Sequence, residues 1–241
     1  IYHINNKGKK LEFDGFWSSS LTDSTLKGKP DIEFLDVNQR LSNINDIFDV
    51  TTKPLIIDID TGGKLEHLEI NLKTIERSGI SAIIMEDKKG LKKNSLLGNK
   101  VYQEQETIQE FSKKISSSKK IITDKLMIIA RIESLILGKP LTDAFKRARK
   151  YVDAGADGIM IHTKDKKPDK ILKFADVFKK EFPNTTLVAV PSSYNFVKET
   201  ELENAGFNIV IYANHMLRAS YPAMKKVASD ILKNGRSYES D

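Results

Sequence analysis

The sequence predicts an α/β fold, a closed (β/α)8 barrel of the TIM type, and three observations carry that prediction. Eight short β-branched or apolar runs, at 1–4, 13–17, 55–59, 82–85, 127–130, 158–161, 187–190 and 209–212, recur along the chain. Amphipathic stretches with helical spacing lie between most of them, at 65–78, 107–117, 141–154, 169–181 and 199–205. Glycines (Gly79, Gly155 and Gly206) close three of these stretches just before the next strand, as C′ residues do. Strands that are apolar throughout and alternate with helices imply a parallel sheet covered on both faces. Eight of them in 241 residues fit a barrel of ordinary length, with a doubly wound open sheet as the alternative. No linker or low-complexity segment divides the chain, so residues 1–241 are read as one domain.

Composition narrows the function. The chain is 39% hydrophobic and 30% charged, ordinary values for a soluble globular protein. No run is long enough to span a membrane and nothing at the start resembles a signal peptide. The absence of cysteine excludes a disulfide framework, thiolate catalysis and a thiolate-bound metal, and fits a cytoplasmic protein. The net charge of +6 comes from scattered lysine clusters without interleaved aromatics, read as solvated faces rather than a nucleic-acid surface.

The chemistry is written at the ends of the strands. In order these ends carry Trp17-Ser-Ser-Ser20, Asp58-Ile-Asp60, Glu86-Asp87, Arg131-Ile-Glu133, His162, Pro191-Ser-Ser193 and Asn214-His215. In a barrel such ends converge on one mouth, where active sites form. Charges there are costly unless paired or bound to a metal. Asp58 and Asp60 are two apart, which on a strand points both the same way. With Glu86 they offer three hard oxygen donors, suited to Mg2+ or Mn2+. The alternative is a carboxylate set paired with Arg131 or with lysines. Arg131 and His162 form a clamp for a phosphoryl or carboxylate group. After Glu86 runs a basic loop with Lys88, Lys89, Lys92, Lys93, Asn94 and Ser95, read either as a mobile flap or as a solvated lysine turn. The residues alone therefore describe a metal-dependent barrel enzyme for a small anionic substrate.

Four segments carry a family resemblance: Asp58-Ile-Asp-Thr-Gly62, Glu86-Asp-Lys-x-x-x-Lys-x-Asn-Ser95, Ala130-Arg-Ile-Glu133 and Ala213-Asn-His-x-Leu-Arg-Ala219. Together with Phe16-Trp-Ser-Ser-Ser-Leu-Thr-Asp-Ser24 and Gly28-Lys-Pro-Asp31 they resemble the phosphoenolpyruvate mutase branch of the isocitrate lyase superfamily. The resemblance runs over about 13–228 and implies an α/β barrel in a homo-oligomer, a dimer or tetramer; the superfamily often exchanges its final helix between subunits, and the sequence is expected to stop before that helix. It implies interconversion of phosphoenolpyruvate and phosphonopyruvate in phosphonate biosynthesis, with Mg2+ as cofactor. By the same resemblance Asp58 would bind the metal directly, and Asp60, Glu86 and Asp31 would hold its waters. Trp17, Ser19 and Ser20 would seat the pyruvate-like part, Arg131, His162 and Asn94 the phosphoryl group, with Lys92 and Ser95 on the closing flap. Isocitrate and methylisocitrate lyases use a catalytic cysteine that this chain lacks. Phosphonopyruvate hydrolase is the alternative; there the position of Asn94 is typically threonine. The first strand departs from the family pattern, so an abbreviated first β/α unit is expected. Thr61-Gly-Gly-Lys64 replaces the usual Thr-Gly-Tyr-Gly. Relatives with a Trp-Ser-Ser-Ser start are often joined to a nucleotidyltransferase domain.

Overall fold

A computed structural model describes residues 3–240. Chain order begins with a hairpin of β1 (His3–Asn6) and β2 (Lys9–Glu12), antiparallel with His3 opposite Glu12. Its two-residue turn places Lys7 at φ 50° and Gly8 at φ 79°, the left-handed pair that matches the twist of a hairpin. The strand expected at 1–4 is thus half of an exposed hairpin, not the first barrel strand; Ile1 and Tyr2 lie outside the described residues. Its residues Asn5 and Asn6 are followed by a turn signal, which returns the chain before a helix can form.

The barrel elements follow. They are β3 (Phe16–Ser18), α1 (Ser20–Leu26), α2 (Val37–Phe48), β4 (Leu55–Asp58), α3 (Leu65–Arg77) and β5 (Ala82–Glu86). A flap then leaves the sheet between the short pair β6 (Lys88–Lys89) and β7 (Glu104–Gln105), with a 3-10 turn at Ser95–Lys100. The chain continues through α4 (Ile108–Lys119), β8 (Met127–Ile132), α5 (Leu141–Asp153), β9 (Gly158–Ile161) and α6 (Asp169–Glu181). It ends with β10 (Thr186–Ala189), α7 (Glu199–Asn204), β11 (Ile209–Val210) and α8 (His215–Asn234).

One parallel sheet of seven strands, in the order β11-β10-β9-β8-β5-β4-β3, curls into a half-barrel with helices outside. The eight strands expected are therefore seven in this sheet among the described residues. Two apolar layers follow from strand alternation. Ile83, Ile128 and Ile159 face outward onto Leu72, Phe111, Tyr151 and Phe174 of the helices. Ile84, Ile129, Met160, Val188 and Ile211 fill the concave side. Each fully buried aliphatic side chain contributes about 1.5–3 kcal/mol. Three helices were not expected from the sequence: α8 at the end of the chain, and α1 and α2, which connect β3 to β4. Of these, α2 carries a capping box, with Gln39 N–H donating to Asp36 at 2.8 Å and Asp36 N–H to Gln39 at 3.1 Å. No helix among the described residues is long and apolar enough to cross a membrane.

Candidate active site

Register brings the strand ends together. Glu86 on β5 pairs with Arg131 on β8, and Arg131 with Met160 on β9. Above them lies a cleft lined by ten of the expected site residues. They are Trp17, Ser19, Ser20, Asp31, Asp58, Lys92, Asn94, Ser95, Arg131 and His162. Asp60 and Glu86 are buried just behind this lining. The lining also includes Met160, Val190, Ser192 and Asn214. Ser19 Oγ donates to Asn214 Oδ1 at 3.3 Å, joining the end of β3 to the start of α8 across the side where the two edge strands do not pair.

The carboxylates form a cluster on one side of the cleft. Strand β4 stops at Asp58, and Asp60 stands beyond it in the left-handed region, with φ 56°. Strand alternation therefore does not align the two aspartates, as the sequence spacing suggested; a turn does. Asp58 Oδ1 accepts from the Asp60 N–H at 3.0 Å and Asp58 Oδ2 from Ser20 Oγ at 3.0 Å. Lys92 reaches in from the flap. Its ammonium lies 3.1 Å from Asp31 and 3.8 Å from Asp58, and it contacts Asp60 and Ser20 directly. Burial alone would lower the Lys92 pKa, but Asp58, Asp60, Glu86 and Asp31 outweigh it and raise it. Burial opposes the ionised form of Asp58, yet Lys92, Arg131 and Arg40 hold its pKa below the usual value. Burial and the Asp58 charge push Asp60 up to about 6.

An arginine-centred cluster forms the other side. Arg131 Nε donates to Glu133 at 2.6 Å, and its Nη2 donates to Ser95 Oγ at 2.7 Å. The same Nη2 lies 3.3 Å from Glu86 and 3.0 Å from His162 Nδ1. His162 Nδ1 is also 3.0 Å from Glu133. Burial and Arg131 lower the His162 pKa, so the ring is neutral at neutral pH. Nδ1 serves one neighbour at a time: when it carries the proton it donates to Glu133, and when it does not it accepts from Arg131. Glu133 is fully buried, but Arg131, Lys88 and His162 overcome that burial and hold its pKa well below the usual range. Glu86 differs. It is fully buried, neither of its oxygens has a hydrogen-bond partner, and burial pushes it up to about 7 despite Arg131 and Lys88.

Hard oxygen donors, an orphaned buried carboxylate and no sulfur ligand fit a divalent cation. Among the described residues, no three of His, Asp and Glu stand together at metal-holding distance in this conformation. The lysine flap contributes an ammonium instead.

Three functional residues escaped the sequence reading. Lys88, buried, donates to Ser95 Oγ at 2.6 Å and to the Lys93 carbonyl at 2.9 Å, and lies 3.4 Å from Glu133. Glu133 was visible at a strand end but without a role. Arg40 of α2 pairs with Asp23 at 2.8 Å, donates to the Ser18 carbonyl at 3.1 Å and to the Asp58 carbonyl, and so fixes the backbone under the carboxylate cluster. A lone arginine beside Leu41 and Ile44 on the apolar face of α2 was the available signal. Asp87 turns away from the cleft. It accepts from the Glu133 N–H at 2.9 Å, Gln105 at 2.8 Å, Tyr151 at 2.7 Å and Arg147 at 3.1 Å, locking the ends of β5 and β8 in register.

A curled α/β half-barrel with clustered carboxylates facing an arginine–histidine pair defines an enzyme cleft for small molecules. Residues 5–232 match the family model for phosphoenolpyruvate phosphomutase, and the chain belongs to that family, within the isocitrate lyase superfamily. It is similar to the phosphonopyruvate hydrolase of Variovorax sp., 35% identical over 232 residues, with 95% of this chain and 79% of that protein covered. It is equally similar to the phosphoenolpyruvate phosphomutase of Tetrahymena pyriformis, 35% identical over 225 residues, covering 92% and 73%. A crystal structure of phosphonopyruvate hydrolase in complex with oxalate and Mg2+ superposes with a TM-score of 0.82 at 34% identity, covering 95% and 78% of the two chains.

Proposed function

We propose that the chain is a phosphoenolpyruvate mutase, interconverting phosphoenolpyruvate and phosphonopyruvate for phosphonate synthesis. The observation that supports this best is the flap. Between Lys92 and Ser95 it reaches the carboxylate cluster at one end and the Arg131–Glu133 cluster at the other, with half-buried Asn94 between them over the cleft. In the forward direction the enol O–P bond breaks and the C3–P bond forms, with pyruvate enolate as the partner of a loose, metaphosphate-like transition state. Such a reaction needs positioning and exclusion of water more than covalent help.

Each residue has a part in this reading. Trp17, Ser19 and Ser20 seat the pyruvate-like half. Arg131, neutral His162 and Asn94 hold the phosphoryl oxygens, while Glu133 and Ser95 hold Arg131 in place. Asp58, with Asp60, Glu86 and Asp31 around it, would hold Mg2+, which when bound supplies positive charge beside the oxygens of the pyruvate half. The flap covers the phosphoryl group while it moves between oxygen and carbon. Phosphonopyruvate hydrolysis to pyruvate and phosphate is the second reading, supported by equal identity to a hydrolase. Asn94, at a position where the hydrolase typically has threonine, favours the mutase. We further propose that the protein is cytoplasmic and homo-oligomeric and takes small molecules, not nucleic acid.

Phosphonopyruvate conversion by R131M and D58N tests the assignment. Both are expected to melt cooperatively and to lose on the order of 10²-fold or more in turnover. Full activity in either would remove that residue from the site.

A further inference from the structure

Lys92 occupies an unusual position. The residue is 4% exposed, and its ammonium meets three carboxylates: Asp31 after α1, Asp58 at the end of β4, and Asp60 in the turn beyond. One ammonium contacts three acids directly, and Glu86, buried behind them without a hydrogen-bond partner, lies 3.3 Å from Arg131. An unpaired acid cluster of this kind is costly to bury. The lysine is not part of the barrel that supplies the acids. It sits on the flap between β6 and β7, where Gly90 at φ 74° turns the chain, and Asn94 lies two residues beyond Lys92.

We propose that Lys92 is a built-in counter-ion, occupying the cation seat of the flap-closed, ligand-free protein and competing with a divalent metal for Asp31, Asp58 and Asp60. This rests on the reading of those carboxylates as the cation site. The device ties two events together. A metal entering the cluster displaces the ammonium and frees the flap segment that carries Lys92 and Asn94, so that substrate, rather than Lys92, brings Asn94 back over the cleft. By reciprocity, whatever draws Lys92 off the acids tightens metal binding by the same factor. The flap then samples its substrate-loading position when the metal is already seated, and the acids never stand uncompensated between turnovers.

Mn2+ binding to the full chain without substrate, followed by electron paramagnetic resonance of the free ion, tests the proposal. Four variants give the comparison. K92Q is expected to bind Mn2+ on the order of tenfold tighter than wild type, because one buried positive charge no longer opposes the metal. K92R, which keeps the charge, is expected to stay within about threefold of wild type. K89Q removes the same charge from an exposed site on the flap and is expected to shift affinity less than about twofold. D58N is expected to lose the site. Thermal melts give an independent reading: added Mn2+ should raise the midpoint of K92Q more than that of wild type, even where K92Q is less stable without metal. K92Q binding no tighter than K89Q, with D58N still losing the site, would overturn the counter-ion role and leave the cation site standing. Mn2+ that fails to bind wild type, or binds D58N equally, would overturn both.

Discussion

Glu133 shows what a single residue contributes here and what can be checked about it. Burial works against its charge, and Arg131, Lys88 and His162 together keep it ionised. A carboxyl whose pKa is lower in the folded than the unfolded chain stabilises the fold above the ordinary value of 4.5 and loses that contribution as pH falls through it. Glu86 and Asp60, raised to about 7 and about 6, have the opposite sign: they favour the fold more as pH falls. The raw pH curve mixes the two, so the difference between wild type and E133Q is the useful quantity. Denaturant unfolding is expected to show E133Q about 3–5 kcal/mol less stable at neutral pH, with the gap narrowing below pH 4.5. A gap that stays constant down to the acid transition would contradict the ionised state of Glu133. At this scale the sequence was informative where chemistry sits on strand ends. Asp58, Glu86, Arg131 and His162 each follow an apolar run, and the pleat delivers them to one rim. Lys88 and Arg40 were hidden because a lysine in a basic loop and an arginine on a helix look the same whether solvated or buried. Only tertiary packing supplies their partners.

Among the elements, the flap is the one whose behaviour decides the chemistry. Lys88 ties its far end down by holding Ser95 and the Lys93 carbonyl against Glu133. Cutting that tie should let water reach the migrating phosphoryl group. K88M is expected to lower kcat by roughly tenfold with little change in KM, and to raise the ratio of inorganic phosphate to phosphoenolpyruvate among the products. An unchanged ratio with an unchanged kcat would mean that Lys88 does not hold the flap for catalysis. The sequence located this loop by composition but left open whether it was a flap or a solvated turn, and the buried state of Lys88, Lys92 and Ser95 favours the flap. Five helices read from amphipathic spacing are present. The three that were missed lie where the signal was thin: α1 is short and polar, α2 is announced mainly by the Asp36–Gln39 cap, and α8 follows the last expected strand and buries none of its residues. The first strand failed for the opposite reason. A run with β character was read into the barrel, and the Lys7-Gly8 turn made it a hairpin instead.

For the whole molecule, the curled parallel sheet followed directly from the β/α alternation, with one strand fewer than the expected eight in the main ladder. Among the helices, the last stands apart. In α8 no residue is buried, although Met216, Met224, Val227 and Ile231 recur at helical spacing along it. We propose that a second copy of the chain covers this stripe. Light scattering should then give a dimer or tetramer for wild type, and a smaller species for the double variant M224D/I231D. A monomeric wild type at working concentrations would contradict this assembly. The central claim concerns the fate of the phosphoryl group, and ³¹P NMR of the Mg2+-supplemented protein with phosphonopyruvate reads that fate directly. The account predicts that the phosphonate resonance gives way to that of phosphoenolpyruvate, while inorganic phosphate accumulating in step with pyruvate would contradict the mutase and establish the hydrolase.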